Sequence, residues 1–234
     1  MTQAPSGQRV NTDSCVFGDV IGGLAQPLRI LDIGTGTGVL ALMLAARYPG
    51  ATVTAVEPEV SIARVAAENF KSSPWSERIQ LVIARAQDLD PAEIGTFDFV
   101  LCNPPYFQNS LLSDDRLRMI ARHNMDLSVV ELYDAMGRMV TEHGSVWLSF
   151  PEDSLDLWLR HGTEAGFHLT HQFTVMDHPG ARPHMTIAGW GRNAASEVQR
   201  ADIFYRTHHK GPPSDWMRAF RERWFPARFN ANFK

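Results

Sequence analysis

The stretch Arg29-Ile30-Leu31-Asp32-Ile33 runs without a break into Gly34-Thr35-Gly36-Thr37-Gly38, and Val39 to Arg47 follows as a segment rich in alanine and leucine. A short apolar run, three glycines at every second position and a strong helix former read as strand, loop and helix, the first half of a βαβ unit. Such a unit commits the chain to a parallel sheet, because the helix must carry it back to the edge where the next strand starts. Glycines at the helix N-terminus let the backbone approach a ligand closely. The spacing is not that of a dinucleotide fingerprint, which would need glycine where Val39 stands. Asp32, just ahead of the glycines, would repel a pyrophosphate and suits a cationic ligand with an amino-acid end.

The βα rhythm continues. Thr52 to Val56 is a second strand ending in Glu57, about twenty residues past the loop, where a carboxylate can take both hydroxyls of a ribose. Ser61 to Phe70 reads as a helix, Ile79 to Ala84 as the third strand and Phe97 to Cys102 as the fourth. Leu127 to Val140 reads as a helix closed by Gly144, Ser145 to Phe150 as a fifth strand, and Leu155 to Glu164 as a helix. His168 to Met176 and His184 to Trp190 are joined directly through Pro179, Gly180 and Pro183, which makes them antiparallel. The expected architecture is α/β: a Rossmann-like, doubly wound, mostly parallel seven-stranded sheet with an antiparallel C-terminal hairpin. Residues 1–10 are small and polar and read as a flexible N-terminus. Asn11-Thr12-Asp13-Ser14 then offers capping oxygens for a short helix through Val16, Phe17, Val20 and Ile21, and residues 11–234 read as one domain.

In such a sheet, ligands lie at the carboxyl ends of the strands around the switch point, so the glycine loop, Glu57 and the end of the fourth strand converge on one crevice. That strand ends in Asn103-Pro104-Pro105-Tyr106, where the double proline removes the N–H groups that further pairing would use. Asn103 brings a side-chain carbonyl oxygen, Pro104 a backbone carbonyl and Tyr106 an aromatic face. Two acceptors and a stacking plate suit a planar NH2 group. Its nitrogen is a poor nucleophile because the lone pair is delocalised; acceptors gripping both hydrogens favour a pyramidal nitrogen and aim the lone pair, with no strong base required.

With 234 residues, 44% of them hydrophobic, the chain can bury a full core. Its net charge of −4 excludes a globally basic nucleic-acid binder, yet from Ala201 on there are seven Lys or Arg against three Asp or Glu, so segment 201–234 is basic on an acidic body. The two cysteines, Cys15 and Cys102, each lie in an apolar setting without a signal-peptide pattern, which fits a reducing cytoplasm. Cys102, at the end of an inner strand, reads as a small buried hydrophobe rather than a nucleophile. No apolar run approaches the ~18 residues of a membrane span. His168, His171, His178, His184, His208 and His209 show no ligand spacing with a third donor, and no metal is expected.

Leu31 to Gly38, Glu57 and Asn103 to Tyr106 together resemble the class I S-adenosylmethionine-dependent methyltransferases of the amino-directed Asn-Pro-Pro-Tyr kind. The resemblance narrows to the bacterial tRNA1(Val) adenine-N6 methyltransferases through Thr12-Asp13, Leu40 to Ala45, Ser73 to Ile79, Asn103 to Phe107, Ala121-Arg122-His123 and Pro183-His184. It implies S-adenosylmethionine as cofactor, with Asp32, Gly34, Gly36 and Gly38 at its methionine end, Glu57 at its ribose and Thr12 among its binding residues. It also implies that Asn103 with Pro104 receives the target amine, with Pro105 among the catalytic residues and Asn103 bordering the cofactor as well, while Tyr106 stacks on the flipped base. The family tends to place an acid after the third strand to accept from the cofactor's adenine amine. This chain has Arg85 there, and Asp88 is expected to take over. The tRNA phosphates would meet Arg116, Arg118, Arg122 and, in the tail, Lys210, Arg218, Arg221, Arg223 and Arg228; no obligate protein partner is expected.

Two alternatives share the chemistry, and two come from other classes. A protein glutamine N5-methyltransferase uses the same chemistry but usually carries an N-terminal helical domain, and an rRNA guanine-N2 methyltransferase is related. A non-catalytic RNA-binding module of the same fold is disfavoured by the intact Asp32, Glu57 and Asn103. A nicotinamide oxidoreductase is disfavoured by Val39 and by the lack of a proton donor at the crevice.

Overall fold

A computed structural model describes residues 12–21, 27–104 and 128–225. In chain order these form α1 (Thr12–Ile21), β1 (Arg29–Ile33), α2 (Val39–Arg47), β2 (Thr52–Val56), α3 (Val60–Lys71), β3 (Ile79–Val82), α4 (Pro91–Ile94) and β4 (Phe97–Cys102). After residue 128 come α5 (Val129–Met139), β5 (Val140–Pro151), α6 (Leu155–Glu164), β6 (His168–Met176), β7 (Met185–Gly191), β8 (Gln199–Phe204) and α7 (Asp215–Trp224).

One sheet in the order β3-β2-β1-β4-β5-β7-β6-β8 carries them all. β1 to β5 pair in parallel, and β7 is antiparallel to both β5 and β6. The inner strands bury both faces, so they read as continuous apolar runs, and alternate residues feed two cores. Ile30, Phe99, Leu101 and Trp147 pack with α1, α2, α3 and α7 on one face. Leu31, Val100, Cys102 and Leu148 pack with α5 and α6 on the other. At the amino end, the Leu28 and Arg29 amides donate to Asp98 Oδ2 at 2.9 and 3.0 Å, pinning the start of β1 to β4.

Among the described residues the sheet has eight strands, not the seven expected. β8 lies outside β6 and parallel to it. Its sequence, Gln-Arg-Ala-Asp-Ile-Phe, buries Ile203 alone, and a strand with one buried side chain leaves no alternating pattern to read. Several expected boundaries also move. β3 ends at Val82 rather than Ala84. α5 gives way at Met139 directly to β5, so Gly144 closes no helix. Phe97 pairs with Val140 and Phe99 with Ser145, so the β5 side carries extra residues at this point. A Cβ at Gly144 would stand 2.9 Å from the Asp98 carbonyl, and that close approach is what the glycine serves. α5 begins instead at a reciprocal capping box between Ser128 and Glu131.

Candidate active site

The strand order reverses between β1 and β4, and the segments leaving their carboxyl ends border one crevice. The β1 exit turns through Gly34, Gly36 and Gly38 at φ of 70°, 59° and 89°, a region costly for any side chain. The three do different work. At Gly34 and Gly36 nothing lies within 4 Å of where a Cβ would be, whereas at Gly38 a Cβ would stand 2.3 Å from the Phe70 ring. The first two leave bare backbone facing open space; Gly38 lets α3 pack against the loop.

Backbone and side-chain bonds hold the loop from three directions. The Thr35 amide donates to the Val56 carbonyl at 2.9 Å and the Gly38 amide to the Thr35 carbonyl at 2.9 Å, while Asn69 Nδ2 donates to the Thr37 carbonyl at 2.9 Å. Glu57, at the end of β2, accepts from the Gly36 amide at 3.0 Å on one oxygen and from the Glu59 amide at 3.1 Å on the other. Its carboxylate is thereby fixed in plane, with a lone pair of each oxygen still available for a diol. Burial raises the Glu57 carboxyl; the Glu59 and Gly36 amides work against this, and the Glu59 charge adds to it.

Asp32 is fully buried. Its Oδ2 accepts from the Thr35 hydroxyl at 2.6 Å, and Oδ1 has no hydrogen-bond partner. Burial pushes the carboxyl up to about 7, against relief from the Thr35 hydroxyl and the Ala41 amide and with the Glu57 charge reinforcing it. A buried anion with an orphaned oxygen beside bare glycine backbone calls for a cation. Asp32, Gly34, Gly36 and Glu57 therefore fit the amino-acid end and the ribose of S-adenosylmethionine.

Asn103 leaves β4 level with the start of the glycine loop, since Cys102 pairs with Ile33. Its amide is held on both sides: Nδ2 donates to Ser14 Oγ at 2.8 Å, and Oδ1 accepts from Ser149 Oγ at 2.5 Å. Neither serine was singled out in the sequence as a partner of Asn103. Ser149 did leave a signal, a hydroxyl in the otherwise apolar run Val146 to Phe150. Cys102 is buried, and that burial, with the Asp32 and Glu57 charges, raises its thiol far above the reactive range.

Of the other expected residues, Thr12 opens α1 and is exposed, and Pro104 is half-buried beside Asn103. Asp88 ends a short 3-10 turn past β3 and is exposed. Pro105, Tyr106, Arg116, Arg118, Arg122 and Arg228 lie outside the described residues, as does the N-terminal segment 1–10. The basic tail divides. Lys210 and Arg221 are exposed, Arg218 bonds to Asp215 and to the Pro213 carbonyl, and Arg223 pairs with Asp19, to which Trp224 Nε1 also donates at 2.7 Å. Arg223, though itself exposed, is thus tied down by the buried Asp19. At the start of α1, Tyr205 donates to Asp13 Oδ1 at 2.7 Å and His184 Nε2 lies 3.6 Å from the same oxygen. Burial works to raise the Asp13 carboxyl, but the bonds from His184 and Tyr205 and the His184 charge outweigh it and leave it lowered. Among the described residues, no three His, Cys, Asp or Glu are grouped as a metal site.

A family described as "Methyltransferase domain" matches residues 30–127. A predicted O-methyltransferase from Agrobacterium tumefaciens shares the fold at a TM-score of 0.66 and 16% identity, over 89% of this chain and 95% of that one. The fold is that of the class I methyltransferases, and the family match together with the relatives below makes this chain a methyltransferase that uses S-adenosylmethionine. Among relatives, a tRNA1(Val) (adenine(37)-N6)-methyltransferase of Bacteroides fragilis is 37% identical over 183 residues, 76% of this chain and 75% of that protein. One of Vibrio campbellii is 34% identical over 217 residues, 93% and 89% of the two chains. The chain belongs to the tRNA1(Val) (adenine(37)-N6)-methyltransferase family.

Proposed function

We propose that this chain methylates the exocyclic N6 amine of adenine 37 in tRNA1(Val), the reaction named for its relatives. The observation that carries the reading is the placement of Asn103: an amide fixed at the end of β4, level with a glycine loop that fits the methionine end of the cofactor. When bound, S-adenosylmethionine supplies an electrophilic methyl group. Asp32 and the bare backbone of Gly34 and Gly36 hold the cofactor's amino-acid end, and Glu57 its ribose. Asn103 Oδ1 and the Pro104 carbonyl accept the two hydrogens of the target amine. They turn its lone pair toward the crevice and ease the positive charge that develops on nitrogen. Tyr106 is the aromatic that the sequence supplies for stacking on the base, and Asp88 the acid for the cofactor's adenine amine.

Residues 11–234 act in this reading as one methyltransferase unit. Lys210 and Arg221, with Arg116, Arg118, Arg122 and Arg228, supply phosphate contacts, and Arg218 joins them once released from Asp215. A cytoplasmic location goes with such a substrate, and no helix among the described residues is long and apolar enough to cross a membrane.

Methyl transfer from labelled S-adenosylmethionine to total tRNA lacking its own modifications, followed by nucleoside digestion, tests the reading. Label is expected in N6-methyladenosine, and Asn103→Ala is expected to cut it to a small residual rate while cofactor affinity stays within about twofold. Cofactor binding without label in RNA would overturn the tRNA substrate in favour of a protein glutamine.

A further inference from the structure

Asparagine is an awkward residue with which to grip an amine. Its terminal torsion is broad and nearly two-fold, and half a turn presents the NH2 group where the carbonyl oxygen belongs. A donor facing the donor of the target amine repels it. Asn103 stands one residue past Cys102, the last paired residue of β4, and just before two prolines, so the strand alone does not fix its amide.

Two hydroxyls do. Register brings Ser149 into place: Cys102 pairs with Leu148, so the next residue of β5 stands beside the next residue of β4. Ser149 is fully buried, and its hydroxyl donates to Oδ1 at 2.5 Å. From the other side Ser14 Oγ accepts from Nδ2 at 2.8 Å. The pair defines the plane of the amide and takes one lone pair of Oδ1, leaving the second for the target amine. Ser14 is itself held, because α1 is tied at both ends. Tyr205 reaches Asp13 at 2.7 Å, Trp224 reaches Asp19 at 2.7 Å, and the Tyr48 hydroxyl donates to the Ile21 carbonyl at 3.2 Å.

We infer that Ser14 and Ser149 are positioning residues for methyl transfer, holding the Asn103 carboxamide so that its oxygen faces the target amine. The inference rests on Asn103 being the amine-gripping residue. Neither serine need touch substrate or cofactor; each acts through Asn103.

The test is a double-mutant cycle on methyl transfer, with cofactor affinity measured alongside. Ser149→Ala is expected to lower kcat about tenfold to a hundredfold and Ser14→Ala somewhat less, as for loss of orientation in a reacting group, with cofactor affinity and KM nearly unchanged. In an Asn103→Ala background each serine substitution should have no further effect, an outcome that general loosening of the fold would not produce. Full activity in both single variants would overturn the inference, as would serine effects that persist undiminished without Asn103. If Ser149→Ala does not fold, Ser14→Ala, on a helix, carries the same cycle. Wild-type transfer that survives Asn103→Ala would instead overturn the reading of Asn103 itself, and that comparison is made first.

Discussion

Asp32 is the residue at which binding and stability oppose one another. Burial holds its carboxyl up at about 7, and a cation against the orphaned oxygen favours the charged form. Cofactor binding therefore expels a proton whenever the pH lies below that value. Affinity for S-adenosylmethionine is expected to be flat above pH 7 and to fall toward tenfold per pH unit below it, read by calorimetric titration from pH 8 to 5. The cofactor-free protein shows the other side. Because the folded carboxyl titrates above its unfolded value of 3.8, the unfolded chain loses its proton first, and stability drawn from this group drops as pH rises from about 4 to about 7. Asp32→Asn should accordingly raise the melting temperature of the free protein above pH 7 while abolishing cofactor binding. The acid and its glycines were legible in the sequence, since their types and spacing have few other uses. Their division of labour was not, because Phe70, which makes Gly38 a packing residue, is brought in by the fold.

At the scale of elements, the inner strands were readable for the reason they are buried: with helices on both faces, nearly every residue must be apolar. β8 was not, because an edge strand with one buried side chain has no such constraint. Charge in the tail was equally ambiguous, since a count of arginines does not say which are engaged. α7 separates them. Arg223 is bonded to the buried Asp19, whereas Arg221 stands exposed one turn from the end of the helix. Arg221→Ala is expected to weaken tRNA binding and reduce its salt slope by about 1, leaving thermal stability within about 0.5 kcal/mol. Arg223→Ala should show the reverse, a loss of about 1 to 3 kcal/mol in stability with a smaller effect on RNA affinity. Salt-dependent binding and thermal melts on the two variants distinguish them.

Across the whole molecule, the first and last described helices are joined through one carboxylate. Asp19 of α1 receives both Arg223 and the Trp224 indole of α7, and the helix so anchored carries Ser14 to Asn103. Asp19→Ala leaves an indole N–H and a guanidinium without their partner, at about 2 to 3 kcal/mol, a fall of roughly 4 to 12 °C in melting temperature for a chain of this size. The two thiols turn this clamp into something that can be timed. Cys15 rides on α1 and Cys102 on the central strand, both buried, with Cys15 raised to about 11 by that burial. Neither offers thiolate to an alkylating reagent until its own segment opens. In Asp19→Ala the labelling of Cys15 by iodoacetamide should accelerate far more than that of Cys102, so that two cysteines with no part in the chemistry serve as separate clocks, one for the peeling of a helix and one for the loss of the sheet.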